Sequence, residues 1–201
     1  LPAAEIAIEA AFEDLSVKRA IFAALDKALP ETAILATNTS YLDVNAIFKR
    51  LRNPERLLGL HFFAPAHVMK LLEVIRATQT SPQTLSTAFH LAQKLKKIAV
   101  EAGVCDGFIG NRILTRYRQT TDLLLMEGAL PWQIDTAMEG FGMAMGPYAV
   151  QDLSGLDIAY ANRQRKALRT KPGIRYIPIA DRMVEDLKRL GRKTGAGWYD
   201  Y

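Results

Sequence analysis

Two residues in the stretch LLGLHFFAPAHVMKLLEVI, residues 57–75, have the types and spacing for proton transfer. His61 stands near the end of the apolar run LLGLHFF, and Glu73 lies inside a second run, KLLEVI. A carboxylate inside an apolar run needs a partner, because an unpaired buried charge is costly. If the two runs lie side by side as strands, Glu73 accepts a hydrogen bond from one imidazole nitrogen. The other nitrogen is then left to act as a base. The competing reading is a core histidine satisfied by a carbonyl, with a strand glutamate that reaches solvent. Spacing alone does not choose between them.

The elements that must position these residues follow from the pattern. IAIEAAF, residues 6–12, reads as a buried strand with Glu13 and Asp14 at its carboxyl end. Ser16 is the expected N-cap of the helix VKRAIFAALDKAL, which stops before Pro30. TAILATN is a second strand, ending in Asn38, Thr39 and Ser40, and Asp43 caps a helix through Phe48. Asn53-Pro54 then turns the chain into the His61 strand. Strand, helix, strand, helix, strand predicts a parallel sheet with crossover helices. Ligands bind outside the carboxyl ends of the strands in such a sheet. Glu13, Asn38, Ser40 and His61 all fall there, delivered by three separate segments. The plain alternative is that loops after strands are polar in any case.

Ser81-Pro82 opens a further helix through about residue 97, and KIAVEAG is a short strand. From Asp106 the pattern turns helical, through GFIGNRILTRYRQTTDLLLMEG, PWQIDTAMEGFG, GPYAVQDLSGLDIAYANRQRKAL and PIADRMVEDLKRLG. The expected domains are residues 1–105 and 106–201, with a Gly-rich, extended tail, RKTGAGWYDY, at the end. Asn111 falls in the first turns of the helix after the boundary, where free N–H groups and a positive dipole end suit a ligand carbonyl. A local backbone hydrogen bond is its other reading.

Composition sets bounds. The chain has 201 residues, 49% hydrophobic, enough for one or two globular units. No apolar run approaches the roughly 20 residues of a membrane-spanning helix, and no signal-peptide pattern opens the sequence. The single cysteine, Cys105, excludes an internal disulfide and reads as a small apolar filler. The +5 charge comes without aromatic interleaving or a nucleic-acid motif. Solubility, or an anionic phosphate-rich cofactor, accounts for it. His67 and His90 have no third ligand at metal-site spacing. The sequence starts without Met and almost directly in a strand, so it reads as an internal piece of a longer polypeptide.

Several motifs, in order, resemble the L-3-hydroxyacyl-CoA dehydrogenases of fatty-acid β-oxidation. They are EAAFEDLSVK, ATNTS, GLHFFAPAHVMKLLEV, DGFIGNR, GFGMAMGP followed by DLSGLD, and RKTGAGWYDY, and they cover essentially the whole chain. The HFF-x-P-AHVMKLLEV form and the final segment look most like the dehydrogenase part of bifunctional hydratase–dehydrogenase proteins, bacterial and peroxisomal. The resemblance implies an α/β Rossmann-like dinucleotide-binding domain, lacking its first strands here, followed by an all-α C-terminal domain. It implies NAD as cofactor, an acyl-CoA thioester as substrate, and a hydratase/isomerase part on the same polypeptide. A thiolase or a second copy of the chain is a further expected partner. A bacterial cytoplasm is the default location and the peroxisome the alternative.

The resemblance also assigns roles. His61 matches the base and Glu73 its partner. Ser40 matches a serine touching cofactor and substrate oxygen, and Asn111 an asparagine that holds the substrate. Glu13 and Lys18 match contacts on the NAD ribose and adenine side, and the backbone at Ala11 and Phe12, with Asn38, lines the same groove. Lys193 matches a weaker cofactor contact. Two departures stand out. Ala64 occupies the position where the family usually carries an Asn contacting the nicotinamide end, and where peroxisomal-type relatives often carry a small residue. The G-x-G-x-x-G loop that cradles a pyrophosphate is absent from these residues, so the isolated segment is expected to bind NAD poorly and to be inactive alone. The competing functions are a non-catalytic helical docking or dimerisation module, and a 3-hydroxyacid dehydrogenase acting on a free acid.

Overall fold

Parity along two strands decides which side chains share a face. In the computed structural model, which describes residues 4–167, 172–173 and 175–201, β3 (Leu57–Phe62) and β4 (Leu71–Arg76) are adjacent and antiparallel. Side chains alternate across a sheet, so Leu57, Gly59 and His61 face one way and Leu58 and Leu60 the other. The link between these strands, residues 63–70, is too short for a parallel crossover, which takes about a dozen residues or more. The antiparallel pair follows.

The remaining strands pair in parallel. β1 (Ile6–Glu9) lies beside β2 (Ile34–Thr37), β2 beside β3, and β4 beside β5 (Ile98–Gly103), giving the order β1-β2-β3-β4-β5. Helix α1 (Leu15–Ala28) and the short α2 (Val44–Ile47) connect the first three strands, and α3 (Pro82–Lys94) connects β4 to β5. Phe22, Val44 and Ile47 pack on the face of Leu35, Leu57 and Ile75. Leu85, Ala88 and Ala92 of α3 cover the opposite face at Leu58, Leu60, Leu72 and Val74. This is the expected Rossmann-like arrangement.

Local differences have local causes. The first strand stops at Glu9, short of the expected Phe12, because the Glu9 carboxylate accepts the Ala11 N–H at 2.6 Å and turns the chain. Ile8 is also more exposed than a buried strand predicts, since β1 is an edge of the described sheet. Asp14, not Ser16, caps α1: its carboxylate accepts the N–H groups of Ser16 and Val17. Asp43 and Ser81 cap α2 and α3 as expected.

The chain divides into two compact units, Leu1–Leu114 and Thr115–Tyr201, within α4 (Gly110–Met126). Residues just past 105 stay with the sheet: Phe108 is buried in its core, and Ile109 and Gly110 donate N–H groups to Glu73.

The second unit is helical, with α5 (Pro131–Phe141), α6 (Pro147–Ser154), α7 (Leu156–Arg165) and α8 (Ile179–Glu185). The last residue of one expected helix, Leu168, lies outside the described residues. Asp135 accepts the Tyr148 and Ala149 N–H groups at the start of α6, where a carboxylate complements the helix dipole, and the Tyr199 hydroxyl. Asp152 accepts the N–H groups of Trp198 and Tyr199 and the Tyr201 hydroxyl. The tail therefore folds back over Asp152, bridged Gly191 to Ala196 and Ala196 to Asp200, and is not extended. A Cβ at Gly197 would collide with the Asp152 carboxylate. No helix among the described residues is long and apolar enough to cross a membrane.

Candidate active site

The β3–β4 register sets His61 directly opposite Glu73, on the same face by parity. His61 Nδ1 lies 2.7 Å from Glu73 Oε2, and both side chains are almost wholly buried. The other Glu73 oxygen, Oε1, accepts the N–H groups of Ile109 at 2.9 Å and Gly110 at 2.8 Å. Burial pushes the Glu73 carboxyl up, but the hydrogen bonds from His61, Gly110 and Ile109 outweigh it and hold it below the ordinary carboxylate range. An ionised Glu73 only accepts, so Nδ1 carries the imidazole proton and Nε2 presents its lone pair.

That lone pair points to Ser40, whose Oγ lies 3.1 Å from Nε2. Phe63 and Phe108 flank the imidazole at ring-centroid distances of 4.6 and 5.6 Å, which limits its rotation. Gly110 must stay small, since a Cβ there would sit 2.8 Å from the Phe63 ring. Asn111 follows directly in the first turn of α4, half-buried. Thus the Glu73 carboxylate orients His61 with one oxygen and anchors the backbone that carries Asn111 with the other.

The carboxyl ends of β1 and β2 complete the neighbourhood. Asn38 Oδ1 accepts the Phe62 N–H at 2.8 Å, continuing the join between β2 and β3 past their ladder. Glu13 Oε1 accepts from Thr39 Oγ1, Ser40 N and Tyr41 N. Burial raises its pKa, but those three hydrogen bonds and the Lys18 charge outweigh it, so Glu13 too is held below the ordinary range.

Lys18 is almost wholly buried beside Glu9. Its side chain is 1% exposed, with Nζ 2.8 and 3.0 Å from the two Glu9 oxygens and 3.3 Å from the Ala11 carbonyl. Ala11 and Phe12 are exposed, Phe12 at 78%. Ala64 is exposed in the β3–β4 link, and its bond to Pro65 is cis. Lys193 belongs to the second unit, where Nζ lies 2.6 Å from each Asp157 oxygen. His67 is exposed, and His90 Nδ1 lies 2.9 Å from the Ser86 carbonyl. Among the described residues no group of three or more His, Cys, Asp or Glu is placed to hold a metal.

Glu9 and Thr39 are not singled out by the sequence. Glu9 lies inside the apolar run IAIEAAF, the same signal that singles out Glu73, and Thr37 Oγ1 and Lys18 satisfy it. Thr39 gives no sequence signal, because its role depends on Glu13 being folded back onto it.

The family model "3-hydroxyacyl-CoA dehydrogenase, NAD binding domain" matches residues 1–105, and "3-hydroxyacyl-CoA dehydrogenase, C-terminal domain" matches residues 107–201. The chain is 45% identical over 212 aligned positions to the peroxisomal bifunctional enzyme of Cavia porcellus, covering 100% of this chain and 29% of that protein. It is 40% identical to a peroxisomal fatty acid beta-oxidation multifunctional protein of Arabidopsis thaliana, covering 98% of this chain and 27% of the relative. Among solved structures, 3-hydroxybutyryl-CoA dehydrogenase from Escherichia coli superimposes with a TM-score of 0.89 at 37% identity, over 98% of this chain and 43% of that one. The dehydrogenase part of multifunctional enzyme 1 from C. elegans gives 0.66 at 36% identity, over 98% and 44%. The chain spans under a third of the length of these curated relatives. With both of the family's domains matched in order, the chain belongs to the 3-hydroxyacyl-CoA dehydrogenase family.

Proposed function

We propose that the protein carrying this chain oxidises L-3-hydroxyacyl-CoA to 3-oxoacyl-CoA, as the dehydrogenase part of a multifunctional β-oxidation protein. The observation that carries this reading is the chain of contacts Ser40 Oγ, His61 Nε2, His61 Nδ1 and Glu73 Oε2. The neutral imidazole takes the 3-hydroxyl proton on Nε2 as the C3–H bond breaks and the carbinol carbon becomes a carbonyl. Glu73 fixes the tautomer beforehand and stabilises the imidazolium afterwards. Ser40 Oγ, already at Nε2, hydrogen-bonds the substrate oxygen and aligns it with the base. Asn111, at the start of α4, steadies the thioester end.

NAD supplies the hydride acceptor when bound. The residues present suit one side of such a cofactor: exposed Ala11 and Phe12 offer an apolar wall at the carboxyl end of β1, with Asn38 and Ser40 at the end of β2. They do not include a glycine loop for the pyrophosphate, so tight binding needs more of the polypeptide than these residues. The names of the curated relatives favour the peroxisome over a bacterial cytoplasm as the location. The share of those relatives that the chain covers leaves room for a fused hydratase/isomerase part.

The test is NADH oxidation with acetoacetyl-CoA by the full-length protein, against its His61→Ala variant. Turnover in the wild type that falls by about 10²–10⁴-fold in the variant is expected. A folded wild type that binds NADH and does not turn over would sink the reading.

A further inference from the structure

The loop that delivers Ser40 is held by one carboxylate. Glu13 Oε1 accepts Thr39 Oγ1 at 2.6 Å, Ser40 N at 2.9 Å and Tyr41 N at 3.0 Å, so three consecutive residues hang from a single oxygen. Thr39 Oγ1 also accepts the Leu42 N–H at 3.0 Å, which closes the turn from within. Glu13 is itself held from behind, with Oε2 3.5 Å from Lys18 Nζ. Lys18 is buried and locked by both Glu9 oxygens, and Thr37 Oγ1 at the end of β2 donates to Glu9 at 2.8 Å. The ends of β1 and β2 and the start of α1 thus form one polar cluster, whose outermost member is the Ser40 loop.

We propose that Glu13 is a positioning residue of the dehydrogenase site, fixing Ser40 against His61 through the backbone of residues 39–41, with Lys18 and Glu9 holding Glu13 in turn. This rests on the dehydrogenase reading above. This role adds to the cofactor contact that the resemblance implies for Glu13 and Lys18. Glu13 Oε1 takes all three loop donors, while Oε2 lies toward Lys18 and the side chain keeps 32% exposure. A displaced Ser40 would loosen its 3.1 Å contact with His61 Nε2, and positioning errors of this kind lower turnover with little effect on binding of the second substrate.

Thr39 separates the two roles. It is 1% exposed, so it touches no ligand, yet it donates to Glu13. The experiment measures kcat and KM for acetoacetyl-CoA and NADH, and Kd for NADH by fluorescence, on the full-length protein and on Glu13→Ala, Glu13→Gln and Thr39→Val. Glu13→Ala should lower kcat by about 10–100-fold, whatever it does to the NADH Kd. Glu13→Gln keeps an acceptor oxygen and should retain most of kcat. Thr39→Val should lower kcat in the same direction, and the Glu13→Ala/Thr39→Val pair should be no worse than Glu13→Ala alone, because both remove one clamp. If Glu13→Ala does not fold, Thr39→Val decides. A raised NADH Kd with kcat intact in Glu13→Ala, or an unchanged kcat in Thr39→Val, overturns the proposal. A wild type that binds NADH without turnover overturns the dehydrogenase reading instead.

Discussion

Glu73 is the cross-strand partner of His61 and at the same time the acceptor for the first N–H groups of α4. One carboxylate therefore sets the tautomer of His61 and the position of the backbone leading to Asn111. Glu73→Gln separates these two tasks. Its amide oxygen can still accept from Ile109 and Gly110, while its NH2 group donates to Nδ1 and forces the proton onto Nε2. In the proposed reaction His61 then faces the substrate in the wrong tautomer. The expected loss in kcat/KM is about 10²–10⁴-fold, with a thermal unfolding midpoint close to wild type. A Glu73→Gln protein with near-normal turnover would show that the imidazole is not oriented this way.

Acid should weaken the fold through the same residue. The Glu73 carboxyl is held below its ordinary value of 4.5, so as the pH falls the unfolded chain takes up its proton first. The stabilisation is complete above about pH 5 and is lost as the pH drops through the folded value. Glu13 contributes with the same sign. Urea midpoints taken at about pH 6 and about pH 4 should differ more for wild type than for Glu73→Gln. Equal differences would contradict the linkage.

The buried pair Glu9–Lys18 predicts a large stability effect. Removing Lys18 alone strands a carboxylate in the interior, and Lys18→Met should cost about 3–5 kcal/mol. Glu9→Gln in the Lys18→Met background removes the stranded charge and should recover much of that loss. A double-mutant cycle by denaturant unfolding reads the coupling. Additive losses would show that the two residues act separately.

Asp122 carries the opposite sign. Burial pushes its carboxyl up from 3.8 to about 6, against the lowering charges of Arg163 and Arg118. The folded chain then binds more protons than the unfolded chain between those values, so stability falls as the pH rises through that window. Asp122→Asn mimics the protonated acid. It should stabilise the protein by about 1–3 kcal/mol near neutral pH, with the gain vanishing toward about pH 4. A variant that melts lower than wild type at neutral pH would count against a strained Asp122 carboxylate.

The tail depends on Asp152. Its two oxygens accept Trp198 N, Tyr199 N and Tyr201 Oη, and the Tyr148 and Trp198 rings meet at 4.6 Å. Asp152→Ala leaves two backbone N–H groups without their acceptor, at about 1–3 kcal/mol each when buried. The tail should become cleavable after Arg192 or Lys193 by trypsin, and Trp198 fluorescence should shift to the red. Resistance equal to wild type would show that the tail is held by something else.

Much of the site is legible in the amino-acid order. Apolar runs announce the strands, Asp43 and Ser81 announce helix starts, and a charged residue inside the run KLLEVI points to a buried partner. Equal parity of residues 61 and 73 in an antiparallel pair follows from the alternation of side chains. Side-chain type, local propensity and period are properties of short windows, so the order of residues alone determines them. Register is different. A slip of one residue would move Glu73 to the α3 face without changing any local preference, and only packing of both sheet faces excludes it. The same holds for Lys18, which is buried against Glu9 because β1 and α1 bring residues nine apart together. Thr37 meets Glu9 across 28 residues, Ser40 meets Glu13 across 27, and Trp198 meets Asp152 across 46. A side chain chooses such a partner only once strands and helices have fixed where the desolvated charge lies, which makes these contacts a decision of the tertiary structure.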